Sequence, residues 1–337
     1  MHAKKLDKIA TAVLYSIAGI IVAILASLIL YILVRGLPHI SWSFLTGKSS
    51  SYQAGGGIGI QLYNSFFLLV ITLIISVPLS MGAGIFLAEY AKKGPVTNFV
   101  RTCIEILSSL PSVVVGLFGY LIFVVQFEYG FSIISGALAL TVFNLPQMTR
   151  NVEDSLKHVH HTQREAGLAL GISRWETVVH VVIPEALPGI VTGVVLASGR
   201  IFGEAAALIY TAGQSAPALD WSNWNILSVT SPISIFRQAE TLAVHIWKVN
   251  SEGTIPDGTI VSAGSAAVLL IFILIFNFVN RCLKEKPCQN IIGMKSISSP
   301  FLKRKWPSLP RIYMFTTVKK NPSRASICNL KKIKLLP

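Results

Sequence analysis

Apolar residues fall along this chain in long blocks broken by short polar stretches. Ile9–Val34, Gln61–Ala88, Ile106–Gln126, Tyr129–Thr149 and Thr259–Asn280 carry no Asp, Glu, Lys or Arg. Ala186–Ala212 carries only Arg200 and Glu204. A bilayer core takes about 20 apolar helical residues to cross, so each block is a candidate span. The pattern predicts an all-α, polytopic membrane protein with six transmembrane helices. Lys4, Lys5 and Lys8 precede the first block as they would in a signal peptide. Its apolar stretch is too long for one, and no small-x-small cleavage site follows, so a retained helix is expected.

The loops orient the spans. Thirteen Lys or Arg fall in segments 1–8, 92–101, 150–174 and 281–286, against four (Arg35, Lys48, Arg237, Lys248) on the other side. The positive-inside rule then places both termini in the cytoplasm. Residues 1–8 are the expected cytoplasmic N-terminus and 9–286 the transmembrane domain. Two connections are long: the cytoplasmic stretch Asn151–Glu185 and the outer loop Gly213–Gly258, which holds Trp221, Trp224 and Trp247. Within that loop Thr241–Val249 reads as a short amphipathic helix at the membrane surface.

Composition agrees: 52% of residues are hydrophobic and 13% charged, about half the charge of a soluble domain. The formal net charge of +14 is misleading. Eleven Lys or Arg and no acid lie between Pro287 and Pro337, which leaves +3 for residues 1–286. The basicity is no argument for nucleic acid. The tail reads either as a disordered polybasic segment drawn to anionic lipid or as a shifted reading frame. Cys103, Cys282, Cys288 and Cys328 have no CxxC spacing, so neither a disulfide framework nor a zinc site is expected. His158, His160 and His161 read as a solvated basic loop, without acidic or Cys partners at metal-ligand spacing. Gly55–Gly59 lacks the Lys and Ser/Thr of a phosphate loop, so no nucleotide or other cofactor is expected on this chain.

The most informative stretch is EAGLALGISRWETVVHVVIP, Glu165–Pro184. Glu165–Leu170 can form a short helix, and Gly171 permits a turn. Ser173 can cap a second helix from Arg174, with Glu176 three residues on. Pro184 and Pro188 would mark the start of the fifth span. Glu165, Ala166, Gly171 and Pro184 stand at the spacing of the EAA loop of ABC-importer permeases, which this segment resembles; Gly167 replaces the second Ala. The resemblance implies the type I, MetI-like permease fold, with 165–184 as the coupling helices for a separate ATPase.

Two charged pairs bear on the solute. Arg200 lies within the fifth block, where a charge costs about 2.5–3.5 kcal/mol. Glu204, four residues on, is expected on the same helical face as its partner. A guanidinium fork suits phosphate or carboxylate, so an oxyanion could displace Glu204 during passage. Arg150 and Glu153, three apart, can pair in the same way. Gly189/Gly193 and Gly199/Gly203 suit close helix packing, within this subunit or against another. GRIFGEAAALIYTAG (Gly199–Gly213), PEALPGIVTGVVLASGR (Pro184–Arg200), LPQMTRNVEDSL (Leu145–Leu156) and QAETLAVHIWKVNSEG (Gln238–Gly253) resemble the phosphate-specific ABC importer permeases of the PstA type. That likeness covers roughly residues 10–285. It implies that Arg200, Glu204, Arg150 and Glu153 serve phosphate movement. It also implies a PstC-like second permease, a PstB-like ATPase dimer and a PstS-like extracytoplasmic phosphate-binding protein in a plasma-membrane complex. A permease for sulfate or molybdate is the nearest alternative. A stand-alone channel or sensor is a more distant one, and the spans hold no residue set suited to an intramembrane enzyme.

Overall fold

The computed structural model describes residues 2–49, 54–92, 94–253 and 256–285. The basic tail expected over 287–337 lies outside the described residues. All described regular structure is helical. The main helices are α1 (His2–Gly36), α2 (Gly59–Tyr90), α3 (Pro95–Ser109), α4 (Ser112–Gln126), α5 (Ile133–Lys157) and α6 (His161–Ala169). They are followed by α7 (Arg174–Gly203), α8 (Ala206–Thr211), α9 (Leu242–Glu252) and α10 (Gly258–Glu285).

Four helices among the described residues are long and apolar enough to cross a membrane: α1, α2, α7 and α10. The third expected span differs from its sequence reading. Ile106–Ser109 belong to α3, and α4 begins only at Ser112, bent 101° from α3. The break sits at Leu110–Pro111, where the proline disfavours helical backbone at the residue before it. Together the bent pair can count as a fifth span. The fourth block is a helix, α5, yet it is too polar to pass as a span by composition. It packs against α2, α3, α4, α7 and α8. A helix surrounded by other helices meets little lipid, so Asn144, Thr141 and Thr149 can be buried there.

The core lies where α2, α5, α7 and α8 meet, with Leu68, Leu140, Ile201, Phe202 and Leu208 buried. Phe66, Phe202, Phe272 and Phe276 pack ring against ring between α2, α7 and α10 at 5.0–5.6 Å. Close approach depends on missing side chains. A Cβ on Gly116 would lie 2.7 Å from the Ala207 backbone where α4 crosses α8. A Cβ on Gly189 would meet Ser155 Oγ at 2.6 Å, and one on Gly193 would meet Asn151. The first small-residue pair therefore serves packing of α7 on α5 within this subunit. Gly199 has open space around it.

At the end of the bundle away from α6, the loop 213–241 is tied down by a buried polar cluster. Arg237 is 0% exposed and donates to Asn64 Oδ1 (2.8 Å), Pro232 O (3.3 Å) and Gln238 O (3.2 Å). Burial pushes its pKa down to about 10. Glu240 accepts from Gln61 Nε2 (3.3 Å) and lies 2.8 Å from His245 Nδ1. The segment 241–249, expected as an amphipathic helix, is helical. Thr241 caps α9, but Leu242, Val244 and His245 are buried, and the helix packs on α10.

Candidate functional site

Glu165–Pro184 folds much as its residues suggest, with one difference. α6 ends at Ala169, and Gly171 turns the chain with φ +73°, a conformation that favours glycine. Ser173 and Glu176 form the full capping box at the start of α7. No second short helix follows. The chain runs on as the one long helix α7, which holds a π-helical turn at Val178–Val182 and, beyond it, Pro184 and Pro188. A wide turn accommodates the hydrogen bonds that prolines remove.

Several residues that the sequence reading passed over hold this segment in place. Arg164 reaches the buried Glu89 at the end of α2 (2.9 Å) and donates to Val159 O (2.8 Å) and Leu156 O (2.6 Å) at the end of α5. Arg174 stacks over the Tyr90 ring at 5.4 Å. Gly167 is buried against Thr177, whose Cγ2 would lie 2.7 Å from an added Cβ. The glycine in place of the family's alanine thus permits close contact between α6 and α7 rather than loosening the helix. On the outer side Glu165, Ala166, Leu168, Leu170 and Trp175 are exposed. Glu165 lies 3.3 Å from His161. A rigid, anchored hairpin with an apolar, partly acidic outer face suits docking to another protein.

The expected pairing of Arg150 with Glu153 does not occur. Arg150 pairs with Glu105 on α3 at 3.1 Å. Glu153, nearly buried, accepts from Arg101 on α3 and from Lys157 at 2.6 Å. The bend at Leu110–Pro111 lays α3 beside α5, so each charge finds a partner on the neighbouring helix. A sequence spacing of three could not show this.

Arg200 and Glu204 also do not pair. α7 ends at Gly203, and Glu204 is extended (ψ 128°), so the two residues do not share a helical face. Glu204 turns the other way and accepts the Ala207 N–H at 3.2 Å, capping the start of α8. Arg200 lies in the last turn of α7, where free carbonyls favour a cation. Each charge is thus compensated by a helix end rather than by the other. Arg200 is exposed on the subunit surface beside open Gly199 and makes no ion pair among the described residues. Its guanidinium is free for an anion or for a neighbouring subunit.

A helical bundle with four to five apolar spans and an anchored hairpin at one end is the architecture of a membrane protein. The chain belongs to the binding-protein-dependent transport system inner membrane components, the family that matches residues 80–286. It is 55% identical over 283 residues, 84% of this chain and 96% of the relative, to the probable ABC transporter permease protein YqgI of Bacillus subtilis (strain 168). It is 32% identical over 249 residues, 74% of this chain and 82% of the relative, to the phosphate transport system permease protein PstA of Xylella fastidiosa (strain 9a5c). An inward-facing MetNI methionine ABC transporter overlaps at a TM-score of 0.48 and 18% identity, over 76% of this chain and 96% of that one. The protein is an all-α, multi-pass membrane permease subunit of an ABC importer. Such subunits are not enzymes. They work with another permease and a separate ATPase.

Proposed function

We propose that this permease forms half of the pathway of a phosphate importer in the plasma membrane, with both termini cytoplasmic. Arg200 carries the reading: an exposed guanidinium, with no ion pair among the described residues, near the end of the apolar stretch Ala186–Gly203. A second, homologous permease facing it would enclose a passage in which the planar donor fork meets the oxyanion. The relatives named as phosphate transport permeases support phosphate as that anion. Arg150, Glu153 and their α3 partners would lie nearer the cytoplasmic exit.

ATP binding would close a PstB-like ATPase dimer and drive the exposed hairpin face of Glu165, Ala166 and the turn at Gly171. Because α7 is continuous from Arg174 to Gly203, a push at the hairpin moves the helix that carries Arg200. Pro184 sits on that lever. A PstS-like binding protein would deliver phosphate at the opposite end.

Uptake of labelled phosphate, sulfate and molybdate by cells carrying the full system tests this. Phosphate uptake should fall to background in Arg200→Gln while the complex still assembles. Loss of assembly would instead make Arg200 a structural residue. Preference for sulfate or molybdate in the unaltered system would assign the same pathway to another oxyanion.

A further inference from the structure

The loop at the end of the bundle opposite the hairpin carries large apolar side chains on its surface. Asp220 N donates to Thr230 O at 2.9 Å and closes residues 220–230 into a compact ring. Its polar side chains are engaged within it. Asp220 Oδ1 accepts from the backbone N–H and the hydroxyl of Ser222. Asn223 Oδ1 accepts the Asn225 N–H and Asn225 Oδ1 the Leu227 N–H, both at 3.1 Å. Asn223 Nδ2 donates to Ser228 Oγ at 2.9 Å, and Ser228 and Thr230 share a hydroxyl hydrogen bond. Asp220, Ser222, Asn225 and Thr230 are exposed, and so are the loop's large apolar side chains. Trp224 is 67% exposed and Leu227 77%, with Trp221, Ile226 and Val229 exposed beside them. No charged residue occurs from Trp221 to Phe236, a run of 16.

A loop facing water would show its polar groups and bury its apolar ones. This one exposes its polar groups too, but they are engaged in its internal hydrogen bonds, and its large apolar side chains stay uncovered. An exposed apolar cluster of this kind marks a contact site. Continuity with the membrane-crossing surface identifies what it contacts. Trp221 meets the Tyr63 ring edge-on at 5.1 Å, and Tyr63 stacks on Phe67 at 5.9 Å. Exposed Val70 and Ile74 continue that stripe down α2 at helical spacing. It lies away from the buried face of α2 that carries Gln61, Ser65, Leu68 and Thr72. Tyr63 is in the second turn of a membrane-crossing helix, the height at which aromatic belts meet the headgroups.

We propose that the loop 220–230 is an interfacial anchor, seated through Trp224, Ile226 and Leu227 in the headgroup and upper acyl region of the bilayer. The anchor holds the adjoining segment 231–241 at a set height. That segment carries buried Arg237 and its bond to Asn64 on α2, so lipid contact and the end of the core form one rigid unit.

The test uses the assembled transporter in lipid nanodiscs. The chain has six tryptophans, and in one variant all but Trp224 become Phe. With phosphatidylcholine brominated high on the acyl chain, Trp224 emission should fall and its maximum lie to the blue, while aqueous iodide leaves it unquenched. Iodide quenching without bromolipid quenching would overturn the proposal. So would protection of Trp224 from iodide by added binding protein, which would make the patch a protein dock. A second measurement leaves the other tryptophans in place. Benzoylphenylalanine at position 227 should crosslink labelled phosphatidylcholine on irradiation. Crosslinking to a protein subunit alone would refute the anchor.

Discussion

Gly167 shows how one missing methyl group sets the geometry of a docking element. A Cβ there would press on Thr177 Cγ2 at 2.7 Å, inside any normal contact. Overpacking of this kind costs about 1–3 kcal/mol, more than the gain of under about 1 kcal/mol from helix propensity. Gly167→Ala should lower the melting temperature of the purified complex. Adding Thr177→Ser, which removes Cγ2 but keeps the hydroxyl bond to Ser173 O, should restore most of it.

Arg237 makes a different statement, about pH. Its folded pKa of about 10 lies below the ordinary guanidinium value, because burial penalises the charged form. Between those two values the unfolded chain holds a proton that the folded chain has lost, so this group adds stability as pH rises through the window. At neutral pH both states are protonated. The melting-temperature gap between wild type and Arg237→Gln should therefore be flat from about pH 6 to about pH 9 and change only above about pH 10.

At the scale of elements, the charged residues of α3 and α5 work across the two helices rather than along them. Glu153 is 7% exposed and holds two cations, whereas Glu105 is 66% exposed and holds one. Removing a nearly buried carboxylate leaves its cations uncompensated, while an exposed pair contributes little. Glu153→Gln should cost about 2 kcal/mol in thermal or denaturant unfolding, and Glu105→Gln less than about 1 kcal/mol. Near-equal effects would contradict the exposure difference. Glu89→Gln should act elsewhere. It frees Arg164 and loosens the hairpin, so less ATPase should co-purify while the membrane bundle still folds.

For the whole molecule, the proposed orientation has a direct readout. Alkaline phosphatase fused within loop 220–230 should be active, and the same reporter at Gly171 inactive. The opposite pattern would invert the permease.

Much of this architecture was legible from residue order. Long apolar blocks, uncharged for α1, α2 and α10 and with only Arg200 and Glu204 at α7, marked these helices because lipid demands apolar surface along the full length of a span. The hairpin was legible for a local reason: Gly171, Ser173 and Glu176 act on their own backbone within a few residues. The bend between α3 and α4 had a signal in Leu110–Pro111, although the apolar run passes across it. The break after Gly203 had none that pattern could supply, since Ala186–Ala212 reads as one span. Charge pairing failed for the same reason at both places. Spacings of three and four imply a partner only while the helix stays whole and no closer helix intervenes. Sequence alone determined a helical membrane protein, its capped hairpin and the presence of an arginine within an apolar block. Only tertiary packing decided that Glu204 caps α8, that Arg150 and Glu153 look to α3, and that Arg200 stands open, because those contacts depend on helices brought together across the bundle.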